Sequence, residues 1–140
     1  QYAATVVKER SPLTRPVTFL RVQNLSASST LDAVAFGRNE NPKLGQSLIV
    51  MGGLDADEAF KTSVARVRPA EKMASSTPDS VGGNLEVTPA IPAGNSGALV
   101  TNLDGQAVGI VLSDPDNASG YVVCPVTCIL AYIKSISLNQ

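Results

Sequence analysis

What most restricts the fold of this chain is the recurrence of short apolar or alternating runs, separated by turn residues, with no sustained helical period until the C-terminal end. Runs of this length and spacing read as strands. Eight are expected, at Tyr2 to Lys8, Val17 to Gln23, Ser47 to Met51, Thr62 to Arg68, Asn84 to Thr88, Gly97 to Thr101, Ala107 to Leu112 and Gly120 to Cys124. The breakers between them include Ser11-Pro12, Asn41-Pro42, Gly52-Gly53, Gly82-Gly83, Asp104-Gly105 and Asp114-Pro115-Asp116, all residue types that favour turns. The pattern is that of an all-β barrel or sandwich, not an α/β fold. The end of the chain departs from it. Val126, Ile129, Leu130, Ile133 and Ile136 follow one helical face, and Pro125 suits the entry to that helix.

The length of 140 residues predicts one domain that buries roughly two-thirds of its unfolded surface, so no metal or disulfide staple is required. At 44% apolar and 16% charged residues, the composition is that of a packed globule. Eleven basic residues face twelve acidic ones, so the net charge of -1 offers no footprint for nucleic acid or an anionic membrane. The chain contains no histidine. It therefore lacks the usual neutral-pH general base and any His-ligated metal site, and two cysteines are too few for an all-thiolate zinc site. No metal and no cofactor is expected. No 18-residue apolar run and no basic-then-apolar leader is present, so membrane insertion and a signal peptide are not expected of this segment.

The stretch that carries chemistry is residues 92–110, from Pro92-Ala93-Gly94-Asn95-Ser96-Gly97-Ala98 through Asp104-Gly105 to Val108-Gly109-Ile110. Glycines on both sides of a serine at a sharp turn let backbone amides converge beside a hydroxyl, forming an anion hole. The same glycines would also suit a plain tight hairpin.

In sequence order these residues resemble the trypsin-like serine proteases of the HtrA (Deg) type. The run from 92 to 110 is similar, without a gap, to that family's G-N-S-G motif and the hairpin that follows it. Leu44-Gly45-Gln46-Ser47-Leu48-Ile49-Val50-Met51-Gly52-Gly53 resembles the strand that opens the family's C-terminal barrel. Residues 62–68 resemble its T-x-G-I-V-S strand, and Gly120-Tyr121-Val122-Val123-Cys124-Pro125 the strand that feeds its last helix. The resemblance implies a trypsin-like closed barrel of six strands over residues 44–125. Residues 1–43 would then hold two strands of an incomplete N-terminal barrel and a linker, and residues 126–140 a C-terminal helix and tail. Two strands cannot close a barrel, so their edges are expected to pair with an upstream segment, a partner chain or a second copy.

Carried across residue by residue, the resemblance implies that Ser96 occupies the nucleophile position and that the amides of Gly94 and Ser96 form the oxyanion hole. Ala90, Ile91 and Pro92 would wall the primary specificity pocket and favour small aliphatic side chains. Val111, Leu112 and Ser113 would form the strand that pairs with an extended peptide. Barrel core is the other reading of those three residues.

A trypsin-like site also needs a base and a carboxylate to orient it. The family's histidine would fall before Tyr2. Its aspartate motif aligns with Pro16-Val17-Thr18-Phe19-Leu20-Arg21-Val22, placing Pro16 where the carboxylate belongs. Ser11 to Arg15 contain no acid, and Asp32 falls in a loop after that strand. Lys43, Lys61 and Lys72 could act as a base only if desolvated beside Ser96. Two readings follow. One is a protease-fold domain, not hydrolytic as it stands, that binds extended peptide or protein partners. The other is an active serine endopeptidase whose histidine lies in an upstream segment, and a purely structural barrel is a third class. An extracytoplasmic location is implied by the resemblance alone.

Other features read as ordinary structure. Cys124 and Cys128 are expected as buried free thiols, although a disulfide between them is sterically conceivable. Asp55-Ala56-Asp57-Glu58 and Asp114-Pro115-Asp116-Asn117 lack a glycine-centred calcium pattern and read as solvated loop charge. Asn24-Leu25-Ser26 and Asn117-Ala118-Ser119 match the glycosylation acceptor pattern. The polar segment Arg68 to Gly83 reads as a long loop, at a place where the resemblance implies a regulatory one.

Overall fold

The architecture was read from a computed structural model that describes residues 3–7, 17–25, 32–37, 42–54, 60–69, 84–114 and 120–137. Pro16, Lys72, the acidic loop 55–58, residues 116–119 and most of the polar segment after Arg68 lie outside them. So do the serines of both glycosylation patterns. The fold is mostly β, with a two-stranded sheet, a nearly closed six-stranded antiparallel barrel and one C-terminal helix. Two compact units are present, Gln1–Ala33 and Val34–Gln140.

In the first unit, β1 (Ala4–Val6) pairs antiparallel with β2 (Leu20–Val22), Thr5 opposite Arg21. Backbone hydrogen bonds from Val7 to Phe19 and from Gln23 to Ala3 extend the ladder. Every residue of the two strands is exposed, Val6 and Leu20 by 60% or more.

The second unit contains β3 (Ser47–Leu54), β4 (Phe60–Arg68), β5 (Glu86–Thr88), β6 (Leu99–Thr101), β7 (Ala107–Ser113) and β8 (Tyr121–Pro125). Their order in the sheet is β5-β4-β3-β6-β7-β8. The ends meet at one bridge, where Leu85 and Val123 exchange both backbone hydrogen bonds at 2.8 and 2.9 Å. Period-two alternation sends Leu48, Val50, Val67, Val100, Val111 and Val123 inward, where they form one buried cluster. Between β4 and β5, Arg68 pairs with the nearly buried Glu86 at 2.7 Å, directly across the register.

Residues on the opposite face of β8, Val122 and Cys124, are buried as well, because helix α1 (Val126–Ser137) packs against β7 and β8. The helix begins immediately after Pro125. Val126 and Ile129 are buried and Leu130 and Ile133 half-buried, so the expected apolar face is the packed one. No helix among the described residues is long and apolar enough to cross a membrane.

The structure differs from the sequence expectation at Gly52-Gly53. These residues do not end β3. The strand continues to Leu54 through a register shift between Met51 and Leu54, with φ of 156° and 80° at the two glycines. This is a bulge, for which a residue lacking Cβ is the natural choice. Asp114 also differs: it is buried, not solvated, and its amide bonds the Gly120 carbonyl at 2.9 Å.

Candidate active site

The turn that presents Ser96 is built by two glycines at positive φ, Gly94 at 85° and Gly97 at 83°, a region that residues with a Cβ avoid. Both glycines and Ser96 are exposed. The turn is tied to β7 at two points. The Gly97 amide donates to the Val111 carbonyl at 2.8 Å, and the Val111 amide donates to the Ala98 carbonyl at 2.9 Å.

Between the two glycines, the buried Asn95 locks the turn from inside. Its Nδ2 donates to the Pro92 carbonyl at 2.9 Å, and its carbonyl accepts from the Ala98 amide. Gly53, from the β3 bulge, comes so close that a Cβ on it would stand 2.7 Å from Asn95 Oδ1. The bulge and the serine turn therefore depend on each other sterically.

Among the described residues the Ser96 hydroxyl has no hydrogen-bond partner, and no carboxylate or amine contacts it. Lys43 and Lys61 are not paired with it. Of the positions nominated as pocket walls, Ala90 and Pro92 are exposed beside the turn, whereas Ile91 is buried in the barrel cluster. Val111 belongs to that cluster too, and Leu112 is buried, so only Ser113 of the strand segment is exposed.

The backbone of that segment behaves differently from its side chains. In an antiparallel strand, successive residues direct their polar groups to opposite sides. Val111 uses its N–H and C=O on the side of the serine turn, and Asp114 donates toward β8. Ser113 therefore directs its backbone groups to the same side as Val111, past the end of β6, where no described residue pairs with them.

Sequence reasoning passed over Tyr121. Its hydroxyl accepts a hydrogen bond from the Gly94 amide at 3.3 Å. The residue stands opposite Ser113 in the β7–β8 register, and that pairing is the signal that could have placed it at the site.

At the far end of β8, Cys124 and Cys128 are free thiols. Cys124 is 2% exposed and Cys128 half-buried. A hydrogen bond from the Cys124 side chain lowers the Cys128 pKa from 9.0 to about 7, against burial, which raises it. Iodoacetamide should thus alkylate Cys128 at a rate that rises through pH 7, and Cys124 only after unfolding. Because the folded pKa is depressed, the stability it contributes is present above pH 9 and is lost as pH falls through 7. Urea midpoints of the wild type and Cys128→Ser across that range would check the sign. No group of three or more potential metal ligands is found among the described residues.

The comparisons with known proteins agree with this frame. The family model of the trypsin-like peptidase domain matches residues 1–110, and the chain belongs to that family. Its fold is that of a serine-to-alanine mutant of Rv3671c from M. tuberculosis H37Rv in the inactive form, at a TM-score of 0.71 and 24% identity over 99% of this chain and 67% of that one. It is also that of the MamO protease domain from Magnetospirillum magneticum, with a TM-score of 0.64 and 19% identity over 94% of this chain and 67% of that chain. The active form of Rv3671c protease matches at a TM-score of 0.69 and 23% identity, over 96% of this chain. This chain spans 59% of that last structure and about two-thirds of the others. The trypsin-like family expected from the sequence is thus the one the chain belongs to. A search of curated proteins found no match.

Proposed function

We propose that this chain, as it stands, is a trypsin-like domain without hydrolytic activity that binds extended peptide or protein partners beside the Ser96 turn. The observation that carries the reading is the exposed Ser96, whose hydroxyl is hydrogen-bonded to no described residue, in a chain with no histidine. In a comparable triad, loss of the carboxylate alone lowers kcat roughly ten-thousandfold. The open backbone groups of Ser113 supply the binding edge: a peptide adding there continues the ladder past β6. Ala90 and Pro92 flank the place for one small aliphatic side chain. The amides of Gly94 and Ser96 are the donors for a carbonyl.

The exposed strands β1 and β2 belong to the same reading, as a sheet to be completed by an upstream segment or a partner chain. A location outside the cytoplasm rests on the family resemblance alone. Rv3671c is known in both an active and an inactive form, so one frame accommodates both states.

A fluorophosphonate probe tests the proposal. No Ser96-dependent labelling is expected, together with binding of an acetylated tetrapeptide ending in valine that survives Ser96→Ala. Stoichiometric labelling abolished by Ser96→Ala would instead establish a serine endopeptidase, with Ser96 forming the acyl-enzyme. Absence of any peptide binding would leave a structural barrel.

A further inference from the structure

We propose that Tyr121 caps the anion-binding amide of the serine turn, so that any acceptor entering this site must first displace the phenol hydroxyl. The inference rests on the reading of Gly94 as an anion-hole donor. Two observations carry it. The Gly94 N–H, exposed and held at positive φ, is already engaged by the Tyr121 hydroxyl at 3.3 Å. The Tyr121 ring is half-buried against the barrel cluster, so the hydroxyl is held in place by packing.

The cap sets a threshold. A ligand must supply a better acceptor than a neutral phenol oxygen, and the 3.3 Å separation lies beyond the usual N–H···O range, so the bond that must be displaced is weak. A neutral peptide carbonyl exchanges one such bond for another and gains little. A carboxylate makes a charge-assisted bond, roughly twice as strong, and displaces the phenol. Tyr121 also stands opposite Ser113, whose backbone groups are open, so the cap and the peptide edge meet at one end of the β7–β8 pair. A peptide paired through Ser113 would run toward the capped amide.

Tyr121→Phe keeps the ring and removes the acceptor. In the ligand-free variant, the ¹H–¹⁵N resonance of Gly94 is expected to move upfield and its amide to exchange faster with solvent. The acetylated tetrapeptide ending in a valine carboxylate should bind the wild type more tightly than its C-terminal amide does. In Tyr121→Phe both affinities should rise alike, by up to about fivefold, because each ligand is spared the same displaced hydrogen bond. An unmoved Gly94 resonance in the variant would overturn the cap. So would affinities unchanged by the substitution. If neither peptide binds either protein, the peptide-binding reading falls, and a shifted Gly94 resonance would then preserve the cap alone.

Discussion

Leu48→Ala is expected to lower the unfolding free energy by about 2–5 kcal/mol, the range for removing a fully buried leucine whose surroundings collapse only in part. Leu48 has no exposed surface and lies in β3, opposite Ala65 of β4, within the inward-facing cluster. Its neighbour across the register is already small, so little side-chain volume is at hand to refill the space. Val64→Ala, on the same pair of strands but 60% exposed, is the matched control. It should change stability by no more than about 0.5 kcal/mol. Urea denaturation of the three proteins reads the contrast, and comparable losses for both variants would contradict the inward-outward assignment.

Gly109→Val should have an effect of similar size with a different cause. A Cβ on Gly109 would stand 2.6 Å from the Cys124 carbonyl oxygen and 2.7 Å from Val123 Cγ1. The first of these contacts is backbone, which cannot rotate aside, so β7 and β8 must separate. A cost of about 3 kcal/mol, the upper end for overpacking, is expected. The damage should extend to the site, because Val111, two residues on, holds the turn through Gly97 and Ala98. Thermal unfolding measures the first effect, and hydrogen exchange at the Gly97 amide the second. Unaltered exchange at Gly97 in a destabilised Gly109→Val variant would show that the turn does not depend on β7.

The strands were legible because their alternation is strict where one face meets the barrel interior. Leu48, Val50, Ala65 and Val67 announce themselves by period alone. The helix was legible for the same reason, since Val126 and Ile129 are the residues that its packing against β7 and β8 requires. Gly52-Gly53 misled because a glycine pair signals a turn and a bulge equally well, and only the approach of Asn95 and Ala98 selects the bulge. Asp114 misled because a charged residue in an Asp-Pro-Asp run reads as solvent-facing, whereas it is buried just past the end of β7, its amide bonded to the Gly120 carbonyl.

At the site, Gly94, Ser96 and Gly97 were visible as a local motif. Tyr121 was not, because its part depends on a register between two strands, which no local pattern encodes. Ile91 and Val111 show the reverse limit: a motif can name a neighbourhood, but strand parity decides that these two side chains serve the core.

The serine turn is bolted to β7 through Gly97 and Ala98, with Asn95 as an internal strut, and none of those fastenings involves the hydroxyl of Ser96 itself. Scaffold and chemistry are therefore separable in heredity. A lineage that sheds its proton acceptor forfeits turnover and keeps the shelf on which the alcohol sits, and that shelf is a ready mount for anyone who would retrofit a base.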